Sequence, residues 1–200
     1  MSRNLMAILR GVTPSEVVAL GEQLLQEGIH QIEVPLNSPK ALESIAKLHK
    51  ALGDRAFIGA GTVLSVADAK AVYAHGGEFI VSPNCNSDVI KVTKDLGMMS
   101  YPGVLTPTEC FAALNSGADI LKLFPAFLLG VNGFKAIQAV LPDHVGCYAV
   151  GGIASDDFAH WRRAGIAGFG LASNLYSPGD SPEKIASKAK VLVDAWDDTL

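Results

Sequence analysis

The chain has 200 residues, 49% of them hydrophobic and 18% charged, with a net charge of −4. So apolar a chain does not stay disordered, and so mildly acidic a one is not built to grip nucleic acid through its phosphates. Its length suits one core, a single domain over residues 1–200.

Cys85, Cys110 and Cys147 are odd in number and none stands in a C-x-x-C, so free thiols in the cytoplasm are expected. The opening residues lack the apolar region and cleavage site of a secretory signal. No apolar run approaches the ~20 residues of a membrane helix, so no membrane partner is expected.

Short apolar runs recur at 5–10, 31–36, 57–60, 79–82, 99–102, 120–124, 146–150 and 168–171. The first is followed by Thr13-Pro14-Ser15-Glu16, by an amphipathic stretch (Val17, Leu20, Leu24, Leu25), and by Gly28. The same punctuation then returns: Ser38-Pro39 and Gly53, Ser65 with Asp68 and Gly76, then Gly97 after the fourth run. Thr106-Pro107-Thr108-Glu109 and Gly117 follow the fifth run, Ser155-Asp156-Asp157 and Gly165 the seventh, and Ser181-Pro182-Glu183 the last. A Ser or Thr side chain accepts from an orphan amide, Pro tolerates the first helical position, and Glu three residues on closes a capping box. A glycine then ends the helix. The final helix carries Ile185, Ala189, Leu192 and Trp196 on one face.

Eight strand–helix units joined by right-handed crossovers predict a single-domain α/β fold, a (β/α)8 TIM barrel near its minimum size. An open doubly wound sheet fits less well, because Gly59-Ala60-Gly61-Thr62 lacks the rest of a dinucleotide fingerprint.

Barrel strands are covered on both faces and should be nearly all apolar. Only Arg10, Glu33 and Lys122 bring full charges into or near the runs. Alternation sets each opposite the more apolar face, so all three are expected to point into the lumen toward its C-terminal rim, where barrel active sites are built. The bland alternative is a self-satisfied buried ion cluster, which seldom improves on apolar packing. Two positive charges and one negative leave a positive charge that a carboxylate substrate would balance. Desolvation by Leu121, Leu123 and Phe124, with Arg10 nearby, would lower the pKa of Lys122. A neutral lysine amine attacks a ketone to form a Schiff base, and Glu33 is the candidate proton carrier. That pairing points to carbon–carbon bond chemistry beside a ketone.

Gly151-Gly152 after the seventh run and Ser173 after the eighth stand where barrels often bind phosphate through backbone amides. The histidines 30, 49, 75, 144 and 160 show no metal-ligand spacing, so no metal site is expected. Cys85 stands at a strand end without an adjacent His to make it a thiolate nucleophile. An isomerase or epimerase of phosphorylated ketoses, with Glu33 as base and Lys122 as an electrostatic donor, and a non-catalytic sugar-phosphate binder are the other readings of these residues.

The segments Ile8-Leu9-Arg10-Gly11, Ile32-Glu33-Val34-Pro35-Leu36-Asn37-Ser38-Pro39, Gly59-Ala60-Gly61-Thr62-Val63-Leu64, Ser82-Pro83-Asn84, Leu121-Lys122-Leu123-Phe124-Pro125 and Val150-Gly151-Gly152-Ile153 occur in this order. Together they resemble the KDPG/KHG aldolase family over nearly the whole chain. The resemblance implies a class I aldolase, working without metal or other cofactor, in which Lys122 forms the Schiff base and Glu33 shuttles protons. It implies that Arg10 and Thr62 lie near the pyruvyl carboxylate, and Gly151, Gly152 and Ser173 near the phosphate. It further implies a phosphorylated 2-keto-3-deoxy sugar acid as substrate, pyruvate and glyceraldehyde 3-phosphate as products, a homotrimer, and a cytoplasmic location. Asn37 stands where the gluconate branch commonly has Arg, and Val150 where it commonly has Thr. Both differences point to the galactonate branch, whose substrate is 2-dehydro-3-deoxy-6-phosphogalactonate. A gluconate-preferring or dual-specificity enzyme, including one acting on 4-hydroxy-2-oxoglutarate, is the alternative within the family.

Overall fold

Alternation along each apolar run sends one set of side chains outward to helices and the other inward. The computed structural model describes residues 3–199; Met1, Ser2 and Leu200, at the extremes of the expected 1–200 domain, lie outside the described residues. The elements are β1 (Leu5–Ile8), α1 (Val17–Gln26), β2 (Gln31–Pro35), α2 (Ala41–Leu52), β3 (Phe57–Gly61), α3 (Val66–Ala74), β4 (Phe79–Val81), α4 (Ser87–Asp95) and β5 (Met99–Tyr101). They continue with β6 (Gly103–Val104), α5 (Pro107–Asn115), β7 (Ile120–Leu123), α6 (Ala126–Gln138), β8 (Gly146–Val150), α7 (Phe158–Arg163), β9 (Gly168–Leu171) and α8 (Pro182–Asp197).

All pairings are parallel, in the order β5-β4-β3-β2-β1-β9-β8-β7-β6. The fifth strand extends two residues past the predicted run 99–102 and is divided by Pro102, which has no N–H to give to a ladder. Its first half, β5, pairs with β4, and its second, β6, pairs with β7. Across this seam the amides of Asp119 and Lys122 donate to the carbonyls of Ser100 and Pro102 at 3.1 and 2.9 Å. One kinked strand therefore closes the sheet into the expected (β/α)8 barrel.

The outward set, including Ala7, Ile32, Val34, Ile58, Leu121 and Leu123, packs with helix residues such as Leu20, Leu24, Ile45 and Leu48 in one continuous core. The inward set forms a smaller core of Met6, Ile8, Phe79, Val81, Tyr101, Tyr148 and Val150. Within it the rings of Phe57, Phe79, Tyr101 and Tyr148 follow one another at centroid spacings of 4.9, 5.5 and 5.7 Å. This row fills the lumen on the side of the strand N-termini: Phe57 stands two residues before Gly59, the partner of Glu33, and Tyr101 two before Gly103, the partner of Lys122.

Several helix starts form as expected. Thr106 and Glu109 make a full capping box with Pro107 in the first turn, Ser65 accepts from the Asp68 amide, and Ser181 accepts from the Lys184 amide. Others differ. The Ser38 hydroxyl accepts from the Gly11 amide at 2.9 Å, tying the β2 loop to the β1 loop, and α2 begins only after Lys40. At Thr13-Pro14-Ser15-Glu16 only half of the box forms: the Glu16 carboxylate accepts from the Thr13 amide, but the Thr13 hydroxyl pairs with that of Ser15 and α1 begins only after Glu16. Among the glycine stops, Gly53 keeps a right-handed φ of −56°, while Gly28, Gly76, Gly97, Gly117 and Gly165 take positive φ. No described helix is long and apolar enough to cross a membrane.

Candidate active site

Glu33 lies in the middle of β2 and Lys122 in β7, and the strand order places three strands, β1, β9 and β8, between them on one side. The two therefore face each other across the lumen from opposite walls. Both are buried, Glu33 at 1% exposure and Lys122 at 6%. Gly61 makes room for the carboxylate: a Cβ there would collide with the Glu33 carboxyl, so no larger residue fits without displacing it.

Glu33 Oε2 is buried with no hydrogen-bond partner among the described residues. The Lys122 Nζ lies over the face of the Phe124 ring, 4.7 Å from its centroid. This is not a self-satisfied ion cluster, in which the carboxylate would be fully paired. Burial raises the Glu33 pKa above the ordinary 4.5, prevailing over the opposing pull of Lys122 and Arg10. Burial also lowers the Lys122 pKa below 10.5, against the attraction of Glu33 and with help from Arg10. Both groups thus move toward neutrality, an arrangement suited to a nucleophilic amine and a proton-carrying carboxyl.

Arg10 stands two residues beyond the end of β1, in an exposed turn at the rim. Its Nη1 donates to Asn37 Oδ1 at 2.6 Å and to Thr62 Oγ1 at 3.3 Å. Thr62 follows β3 with φ of +57°, a left-handed conformation costly for a β-branched residue. Strain of this kind concentrates where surroundings must hold a side chain in one place. Arg10, Thr62 and Glu33 thus share one side of the mouth, with Lys122 opposite.

Gly151 and Gly152 follow β8 with φ of +94° and +71°, and Ser173 is exposed after β9. The Asn174 amide donates to the Ile153 carbonyl at 3.0 Å, binding these two loops together. Asn174 was not legible from sequence, because its partner is 21 residues distant and a lone Asn after a strand has no periodic signal. A Cβ on Gly151 would rest 3.4 Å from the Phe124 ring, the ring beneath the Lys122 amine. The Phe127 amide donates to the Gly151 carbonyl at 3.2 Å. The glycine turn is therefore seated on the corner that follows Lys122. The β9–α8 loop is fixed at its far end by Asp180, whose carboxylate accepts from the Ser177 amide, Lys184 and Lys188.

Cys85 is half-buried and its Sγ donates to the Glu109 carbonyl at 3.6 Å. Burial pushes its thiol up, as it does Cys110, to about 11, and Cys147, to about 12. Among the described residues no three His, Cys, Asp or Glu side chains converge as a metal site requires.

Residues 2–177 match the KDPG and KHG aldolase family. The chain is 44% identical over 192 residues to the 2-dehydro-3-deoxy-6-phosphogalactonate aldolase of Escherichia coli strain K12, covering 96% of this chain and 94% of that protein. It is 43% identical to a probable 2-dehydro-3-deoxy-6-phosphogalactonate aldolase of Rhizobium meliloti strain 1021, covering 98% and 93% of the two chains. A solved structure described as native KDPGal superposes with a TM-score of 0.97 at 42% identity, covering 100% of this chain and 97% of the other.

Proposed function

Because this chain belongs to the KDPG and KHG aldolase family, we propose that it cleaves 2-dehydro-3-deoxy-6-phosphogalactonate into pyruvate and D-glyceraldehyde 3-phosphate, with Lys122 as Schiff-base former and Glu33 as proton carrier. The observation that carries this reading is that Lys122 and Glu33, both buried, face each other across the lumen, the Glu33 Oε2 having no hydrogen-bond partner among the described residues.

In this mechanism the neutral Lys122 amine adds to the C2 ketone, and loss of water gives a protonated imine. Glu33 takes the C4 hydroxyl proton as the C3–C4 bond breaks, and the bonding electron pair flows into the imine. Glyceraldehyde 3-phosphate departs and leaves an enamine on Lys122. Glu33 returns its proton to C3, and water then hydrolyses the pyruvyl imine, freeing pyruvate and the amine. Arg10 and Thr62 hold the carboxylate end. The amides of Gly151 and Gly152 and the Ser173 hydroxyl hold the phosphate, which the positive φ of both glycines favours by presenting the backbone closely.

We further infer a homotrimer in the cytoplasm. Phe127 and Leu128, 62% and 64% exposed beside the site's mouth, supply an apolar surface for a second copy of the chain. The three free thiols suit a reducing compartment.

Borohydride reduction in the presence of pyruvate, followed by peptide mass spectrometry, tests the chemistry. The expected result is a reduced pyruvyl adduct on Lys122, absent from a folded Lys122→Ala variant that also lacks turnover. A folded wild type that forms no adduct at saturating pyruvate would overturn the Schiff-base assignment.

A further inference from the structure

Arg10 is anchored unsymmetrically. Guanidinium presents five N–H donors in a fixed plane. Both hydrogens of Nη1 are engaged, one by Asn37 Oδ1 at 2.6 Å and one by Thr62 Oγ1 at 3.3 Å. No described residue accepts from Nε or Nη2. Those two nitrogens form the side-on fork of the group, which matches the two oxygens of a carboxylate. Arg10 is nevertheless exposed and sits in a turn, where a free arginine would sample many rotamers. Asn37 supplies its shorter bond, and does so from outside the lumen, in the turn after β2.

We infer that Asn37 is a positioning residue: it pins Nη1 of Arg10 so that the Nε–Nη2 fork is held ready for the substrate carboxylate. The inference rests on the aldolase reading above and adds a residue which that reading leaves without a role. Asn37 acts through Arg10 and touches no reacting atom. The strained Thr62 is the second, weaker stop on the same nitrogen. An amide suits the task better than a carboxylate would, because Asn37 orients the guanidinium without cancelling the charge that attracts the substrate.

The test is a double-mutant cycle of Asn37→Ala and Arg10→Ala. It is read by the pyruvate concentration that half-saturates borohydride trapping on Lys122, and by kcat and KM for cleavage of 2-dehydro-3-deoxy-6-phosphogalactonate. For Asn37→Ala the expected result is about a tenfold rise in half-saturating pyruvate and in KM, as losing one charge-assisted hydrogen bond implies. Its kcat should stay within about twofold of wild type, because the lost interaction is made equally in the ground and transition states. Because Asn37 is exposed, the thermal midpoint should not move. In the Arg10→Ala background, Asn37→Ala should have no further effect. An Asn37→Ala enzyme with wild-type half-saturation, or one whose effect adds fully to that of Arg10→Ala, overturns the inference. If Arg10→Ala itself leaves half-saturation unchanged while Lys122 still traps pyruvate, the inference falls and the aldolase reading stands. If wild-type Lys122 traps no pyruvate, both fall.

Discussion

Glu33 and Lys122 are coupled titrating groups, and their roles separate by substitution. In Glu33→Gln the side chain keeps its size but cannot carry a proton. Pyruvate should still trap on Lys122, while cleavage and the exchange of pyruvate methyl protons with deuterated water fall by roughly 10²–10⁴-fold. Near-normal exchange would remove Glu33 from the mechanism. The wild-type rate should climb with pH, because both the neutral amine and the ionised carboxylate increase as protons leave. The amine step lies below the 10.5 of a free lysine and the carboxyl step above 4.5, and the pair reports apparent values belonging to both. Glu33→Gln should leave one ionisation in that profile where wild type has two. Lys122 and Glu33 were legible because a charge inside an otherwise apolar strand is conspicuous. The bond from Arg10 to Asn37 was not, because it joins two turns 27 residues apart and follows no strand or helix period.

At the scale of elements, capping signals were legible where the local bond has no rival. Thr106 with Glu109, and Ser181 with the Lys184 amide, satisfy amides of their own helix. Ser38 was misleading because a tertiary donor, the Gly11 amide, claims its hydroxyl. The division of the fifth strand was present in the sequence as Pro102, yet which neighbour each half would pair with depends on closure of the whole sheet. Asp180 shows what the loop before α8 depends on. Its pKa is held well below the ordinary 3.8, chiefly by the Lys184 and Lys188 hydrogen bonds. A depressed carboxylate stabilises the fold at pH values above its unfolded pKa, and that contribution disappears as pH falls through the lower folded value. Asp180→Asn should therefore lower the thermal midpoint at pH 7, and the gap from wild type should shrink only below about pH 4. A gap that is constant down to strong acid would show that packing, not charge, anchors the loop.

For the whole molecule, the proposed trimer makes the exposed Phe127 and Leu128 a contact between copies. Light scattering should give three times the chain mass for wild type and a smaller mass for Phe127→Asp, since a charge buried in an apolar interface is costly. A wild type that is monomeric at micromolar concentration would sink the assembly. Phe127 also packs on the glycine turn, a Cβ on Gly152 coming within 2.9 Å of its own Cβ, so loss of the interface should also weaken the phosphate binding proposed for that turn.

The aromatic row of Phe57, Phe79, Tyr101 and Tyr148 makes the lumen a cul-de-sac. With one doorway, traffic for the proposed reaction has to run in single file. The fragment tethered to Lys122 sits at the back, so the aldehyde leaves ahead of pyruvate. In the synthetic direction pyruvate arrives first, and an aldehyde that enters before it occupies the corridor and slows the enzyme.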